Sequence, residues 1–148
     1  MSAWRCDDKR MREILFRGKR MDSGNWIYGS LVVRQKEDGG KKYFISGFEP
    51  FSKAAEVHGD TVGEFTGFRD SGGNAVFEGD VVEDLAFGVY EVTMTMWGFR
   101  ALDRKTGVSY GLREFGGLRR VGTVFDEKYH KNEEETKDDG SKGTVKQD

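Results

Sequence analysis

The sequence predicts an all-β chain, a small barrel or sandwich with very little helix, on three observations. Apolar residues recur at every second position through much of the chain, the period of a half-buried strand. Gly, Asp and Asn cluster between those runs, with 21 Gly against 1 Pro in 148 residues, so tight turns rather than Pro-rich linkers join them. No window holds apolar residues at helical spacing long enough for a sustained helix.

Taken in order, Ile14 and Phe16 alternate with Glu13 and Arg17 in a first strand. Trp26 to Val33 reads as a strand with apolar residues on both faces. Glu37-Asp38-Gly39-Gly40 turns the chain into Lys41 to Ser46, where Tyr43 and Ile45 share a face. Ser52 to Val57, after Pro50, is expected to form one short turn of helix. Further on, Tyr90, Val92, Met94 and Met96 alternate with Glu91, Thr93 and Thr95. Asp103 to Gly107 makes a hairpin in which Gly107 suits the positive-φ position. Val108, Tyr110 and Leu112 resume the alternation, and Val121 to Phe125 closes the domain. The expected total is about nine or ten short strands.

Composition sets the boundaries. Residues 131–148 hold 4 Lys and 6 acidic residues and no aromatic, too little apolar surface to offset the entropy of ordering, so a disordered charged tail is expected. Residues 1–10 are expected to be a flexible arm, with 11–60 an N-terminal β subdomain and 61–130 a second β domain. Hydrophobic residues reach only 36%, yet aromatics reach 13%, and such rings are large enough to build a core. No apolar run approaches the roughly 20 residues of a membrane span, and none resembles a signal peptide; a cytoplasmic location in a host cell is expected. Cys6, the single cysteine, excludes an intrachain disulfide and a multi-cysteine zinc site.

The stretch Val62 to Val82 contains Phe65-Thr66-Gly67-Phe68-Arg69-Asp70, a Gly/Asn turn, and Phe77-Glu78-Gly79-Asp80-Val81. It resembles the YopX family of phage and prophage proteins. Met11 to Arg17 looks like that family's start, and Val121 to Phe125 like its closing strand. The resemblance implies an SH3-like barrel in the C-terminal half, a phage or prophage setting and self-assembly, and it brings no established enzymatic activity. Physically, Thr66, Gly67, Asp70, Gly79 and Asp80 read as structural turn residues: Asp70 binds the backbone of the turn it opens, Gly72 and Gly73 supply positive φ, and Gly79-Asp80 starts a strand tightly.

Catalytic chemistry finds little support. A P-loop sequence is absent, and the Asp/Gly/Asn loop lacks the EF-hand spacing. His58 with Asp60 is a pairing that chance produces easily, His130 sits at the edge of the expected tail, and Cys6 lies in the expected arm. Glu83 and Asp84 are neighbours in a strand and so point to opposite sides. No catalytic residue, metal or cofactor is expected.

Charge is more informative. Residues 56–91 hold nine acids and one base, 1 − 9 = −8; residues 100–120 hold six bases and two acids, 6 − 2 = +4. Residues 1–20 hold seven bases and three acids, again +4. Sheet folding either mixes these segments or leaves opposed faces through which copies meet. The expected partner-binding residues are Trp97, Phe99, Arg100, Arg119 and Arg120, with Trp97 outward if its strand continues in register. A bulge at Gly98 turns Trp97 inward instead, and that is the expected outcome. The leading expectation is a non-enzymatic phage accessory protein that forms a homo-oligomer and binds a host or phage macromolecule. The alternatives are a nucleic-acid-binding barrel and an acidic mimic of nucleic acid that occupies a host protein.

Overall fold

The structure, a computed structural model, describes residues 12–48, 53–86 and 88–129. The expected arm, the expected tail, Cys6 and His130 lie outside the described residues. The chain is all-β, as the alternation predicts, with eleven strands among the described residues.

Two compact units divide it. Among the described residues, the first takes those from 12 to 69 together with Gly73–Glu78; the second takes Asp70–Gly72 and those from 79 to 129. The units therefore part at Glu78–Gly79 and not after residue 60, because the strand that follows residue 60 pairs back onto the first strand.

The first unit is a six-stranded antiparallel sheet. Its strands are β1 (Phe16–Lys19), β2 (Trp26–Gln35), β3 (Lys41–Ser46), β4 (Ala55–Val57), β5 (Gly63–Arg69) and β6 (Ala75–Phe77), in the order β4-β3-β2-β1-β5-β6. The long β2 pairs with β1 through Gly29 and with β3 from Ser30. At that handover a side chain on Gly29 would collide with the Ser46 carbonyl oxygen, so glycine is required there.

Two expectations fail in this unit. Residues 55–57 are not helical: they form β4, with Tyr43 opposite Val57 and Phe44 opposite Glu56, and burial of Val57 beside Ile45 outweighs local preference. In β1 the apolar members of the alternation are not the buried ones. Ile14 is 57% exposed and precedes the strand, whereas Arg17 is 0% exposed. The guanidinium of Arg17 lies 4.5 Å from the Trp26 ring centroid and 5.0 Å from that of Phe77. Its Nη2 donates to the Glu78 carbonyl at 3.4 Å. Arginine is weakly hydrated, and aromatic faces compensate its planar cation, which lets it occupy a core position.

The second unit is a five-stranded antiparallel sheet of β7 (Asp80–Asp84), β8 (Gly88–Thr95), β9 (Gly98–Leu102), β10 (Ser109–Gly111) and β11 (Arg119–Thr123), in the order β10-β9-β8-β7-β11. Its core is Val81, Val82, Tyr90, Val92, Ala101, Leu112 and Leu118. The Phe115 ring lies 4.9 Å from that of Tyr90, which also meets Tyr110 edge-on at 5.9 Å. β10 and β11 stand at opposite ends of this order and do not pair among the described residues, so the expected barrel is not closed. The β9–β10 hairpin forms as predicted, with Gly107 at φ 75° and its N–H donating to the Asp103 carbonyl at 2.8 Å.

Candidate functional site

Among the described residues of the second unit, the β8–β9 hairpin presents a cluster of exposed large apolar side chains. Its turn is built by Thr95, whose Oγ1 accepts the Trp97 N–H at 3.0 Å and donates to the Gly98 carbonyl at 2.9 Å. Gly98, at φ 94°, takes the left-handed conformation that reconnects a tight turn to its returning strand. Met96 and Trp97, the two turn residues, are left 88% and 78% exposed. Behind them Met94, 47% exposed, sits directly across from half-buried Phe99. Trp97 is thus outward, against the expectation of a bulge that turns it in. The reason also differs from an in-register strand, since the strand ends at Thr95.

Phe99 backs this tip, but the three expected arginines do not join it. Arg100 follows Phe99 along β9 but is tied to β10, its Nε donating to Ser109 Oγ at 2.9 Å and its Nη2 to the Ser109 carbonyl at 3.0 Å. Arg119 and Arg120 lie on β11, three strand spacings from β9, or about 14 Å. They are displaced along the sheet as well: Arg119 faces Glu83, which faces Val89 near the end of β8 remote from the tip.

Both arginines have ion-pair partners on β7. Arg119 Nη2 is 2.7 Å from Glu83 Oε1, and Arg120 Nε is 3.1 Å from Oδ1 of fully buried Asp80. Arg104 in turn meets Glu91 at 2.7 Å, and in the first unit Arg12 meets Glu64 at 3.2 Å. Antiparallel pairing therefore brings the acidic and basic segments of the second unit together, and much of the charge segregation seen along the sequence is lost in the fold.

The five motif residues occupy joints of the sheets. Thr66 Oγ1 donates to the Val76 carbonyl at 2.7 Å and accepts the Phe68 N–H at 3.1 Å, beside Gly67 at φ 83°. Asp70 is buried; its Oδ1 accepts the Gly72 N–H at 2.9 Å and its Oδ2 the Arg120 N–H at 3.0 Å. Of the two following glycines it is Gly73 that adopts positive φ, at 83°. Gly79, at φ 91°, donates to the Val92 carbonyl and accepts from the Val124 N–H, both at 2.8 Å. Asp80 then anchors Arg120. These contacts are architectural, as the turn reading of the motif expects.

His58 and Asp60 are both exposed around a short 3-10 turn at Gly59–Thr61. Glu83 is half-buried and Asp84 is buried with its Oδ1 accepting the Ala86 N–H at 2.7 Å, consistent with opposite orientations. Among the described residues no three His, Cys, Asp or Glu side chains lie together in a way that could hold a metal ion. No helix among them is long and apolar enough to cross a membrane. Sequence reasoning missed Arg17 and the aromatic rings around it, because a basic residue in an alternating run is normally assigned to the solvent face.

Fold and surface together define an all-β chain of two antiparallel-sheet units with an apolar hairpin tip on the second. No family model matches the chain, and no curated protein matches it.

Proposed function

We propose that this chain is a non-enzymatic accessory protein that self-associates and binds a macromolecular partner through the β8–β9 hairpin tip. The observation that carries the reading is the pair Met96 and Trp97, exposed together on a turn fixed by Thr95 and Gly98. Trp is the residue most enriched among interface anchors, and Met adapts its shape to a partner surface. Burying each would contribute about 1.5–3 kcal/mol. The resemblance of residues 62–82 to the YopX family supports a phage or prophage lineage and a role in the host cytoplasm.

Internal pairing of Asp80, Glu83 and Glu91 removes much of the case for charge-driven contact between copies. Association through the tip would be apolar and would persist in salt. Light scattering at micromolar concentration tests this. The wild type is expected above 16.8 kDa at low and high salt alike, and Met96→Ser with Trp97→Ser is expected to return it to the monomer. A wild-type mass equal to the monomer, or an assembly untouched by the double substitution, would sink the reading.

A further inference from the structure

One face of the first sheet carries aromatic rings and cations in alternation. Register and strand alternation decide which side chains share it. Lys19 faces Trp26 and Arg17 faces Tyr28 across β1 and β2, while Val32 faces Phe44 and Arg34 faces Lys42 across β2 and β3. Trp26, Tyr28, Val32 and Arg34 are all two residues or a multiple of two apart along β2, so they point to one side. Tyr28, Val32, Arg34 and Lys42 are exposed, and Lys19, Trp26 and Phe44 are half-buried. The opposite side buries Ile45 and Val57.

Cations already lie against these rings. The Lys19 ammonium is 5.4 Å from the Trp26 centroid, and the Arg34 guanidinium is 5.5 Å from that of Phe44. Arg17, buried on this same side, lies against Trp26 and against the buried Phe77 ring, which is 5.5 Å from Tyr28, so the open part of the face runs along β2 and β3. Residues 12–46 hold eight bases and four acids, 8 − 4 = +4, so this part of a near-neutral chain is locally basic. One acid, Glu56 on β4, stands opposite Phe44 on this face.

The complementary ligand is a polyanion that also offers planar π faces. An acidic peptide supplies the charge without the stacking, and a duplex hides its base faces. We infer that this face binds single-stranded nucleic acid, with bases stacking on Trp26, Tyr28 and Phe44 and phosphates meeting Lys19, Arg34 and Lys42. The inference does not depend on self-association through the hairpin tip.

The test is fluorescence anisotropy of a labelled oligodeoxythymidine of about 12 nucleotides, titrated with the full chain across a salt series. Binding is expected, weakening linearly in log affinity against log salt. Arg34→Glu with Lys42→Glu is expected to weaken it about tenfold or more and to flatten the salt slope by about 1.4, the share of two phosphate contacts. Lys41→Glu with Lys105→Glu makes the same change in charge, on the opposite face of β3 and in the β9–β10 turn, and is expected to shift affinity less than about threefold. Tyr28→Leu, which keeps the apolar bulk, is expected to lose about fivefold or more through the missing stack. If the Arg34/Lys42 variant fails to fold, exposed Lys42→Glu alone replaces it against Lys41→Glu. Four results would overturn the proposal: no binding at low salt, equal losses from the two charge-reversed pairs, equal affinity for a blunt duplex, or equally effective competition by polyglutamate.

Discussion

Replacing Arg120 should destabilise the second unit far more than replacing its neighbour Arg119, although both are arginines paired to carboxylates of β7. The difference lies in what each carboxylate has around it. Asp80 is 0% exposed and Arg120 is 31% exposed, whereas Arg119 is 66% exposed and Glu83 27%. Arg120→Met keeps the apolar stem and the backbone N–H that bonds Asp70, but takes a charge-assisted hydrogen bond from a carboxylate with no access to water. Hydrogen bonds to charged groups are worth about 1.5–3 kcal/mol; the solvent-exposed third of Arg120 favours the lower half of that range, so about 2 kcal/mol is expected. Arg119→Met removes an exposed pair, worth about 0–1 kcal/mol. For a unit of this size the first change lowers the melting temperature by roughly 10 °C and the second by a few degrees at most. Thermal and urea unfolding of the two variants, followed by circular dichroism, decide it. Losses within about 0.5 kcal/mol of each other would refute the view that burial of Asp80 sets the scale.

Gly79→Val should cost about 2 kcal/mol or more, since a β-branched residue is forced to φ 91° at a joint whose N–H and C=O are both bonded. Gly116→Val meets open space without a positive φ and should be close to neutral; equal melting temperatures for the two would remove the turn reading of the motif. Tyr90 offers a pH dependence. Burial, followed by the nearby Tyr110, Asp103 and Asp84, raises its phenol above the usual value, so the folded state holds that proton more tightly than the unfolded state. The resulting stability is fully present below about pH 10 and is lost as pH rises through the folded value. Tyr90→Phe should therefore unfold at higher pH than the wild type in an alkaline titration, and an unchanged alkaline midpoint would contradict this.

Local pattern was enough where a strand has one wet and one dry face and a turn supplies its own chemistry. β3 matches its expected span at both ends, and the Asp103–Gly107 turn matches its Gly signal. Prediction failed where distant packing decides the outcome. β4 exists because Val57 packs beside Ile45, which nothing in residues 55–57 announces. Arg17 is inward because Trp26 and Phe77 supply two faces for it, from residues far apart in sequence. Met94 and Met96 continue the alternation of Tyr90 and Val92 but are exposed, because the hairpin runs on past its core. The period was real there; the wall it should have packed against was missing.

The charge pattern shows most plainly how a sequence signal changes meaning on folding. A −8 stretch and a +4 stretch, in separate segments of the chain, suggest poles through which copies attract one another. Antiparallel pairing of β11 with β7 instead places Arg119 opposite Glu83, across 36 residues of sequence. Closing so long a connection carries an entropic cost, and β11 is short, with a register irregularity between Arg120 and Gly122. Opposite charges on the two strands favour this register over a slipped one, in which buried Asp80 would lose its contact with Arg120. On this account the arginines of β11 select the fold and are largely committed within it. Recognition then falls to side chains outside these ion pairs: the Met96–Trp97 tip for an apolar partner, and the ring-and-cation face of β1–β3 for a polyanion. The two surfaces should answer differently to salt, since burial of the tip is insensitive to screening and phosphate contacts are not. Raising ionic strength should release an oligonucleotide while leaving any oligomer intact, and a parallel loss of both would mean that one electrostatic surface serves both roles.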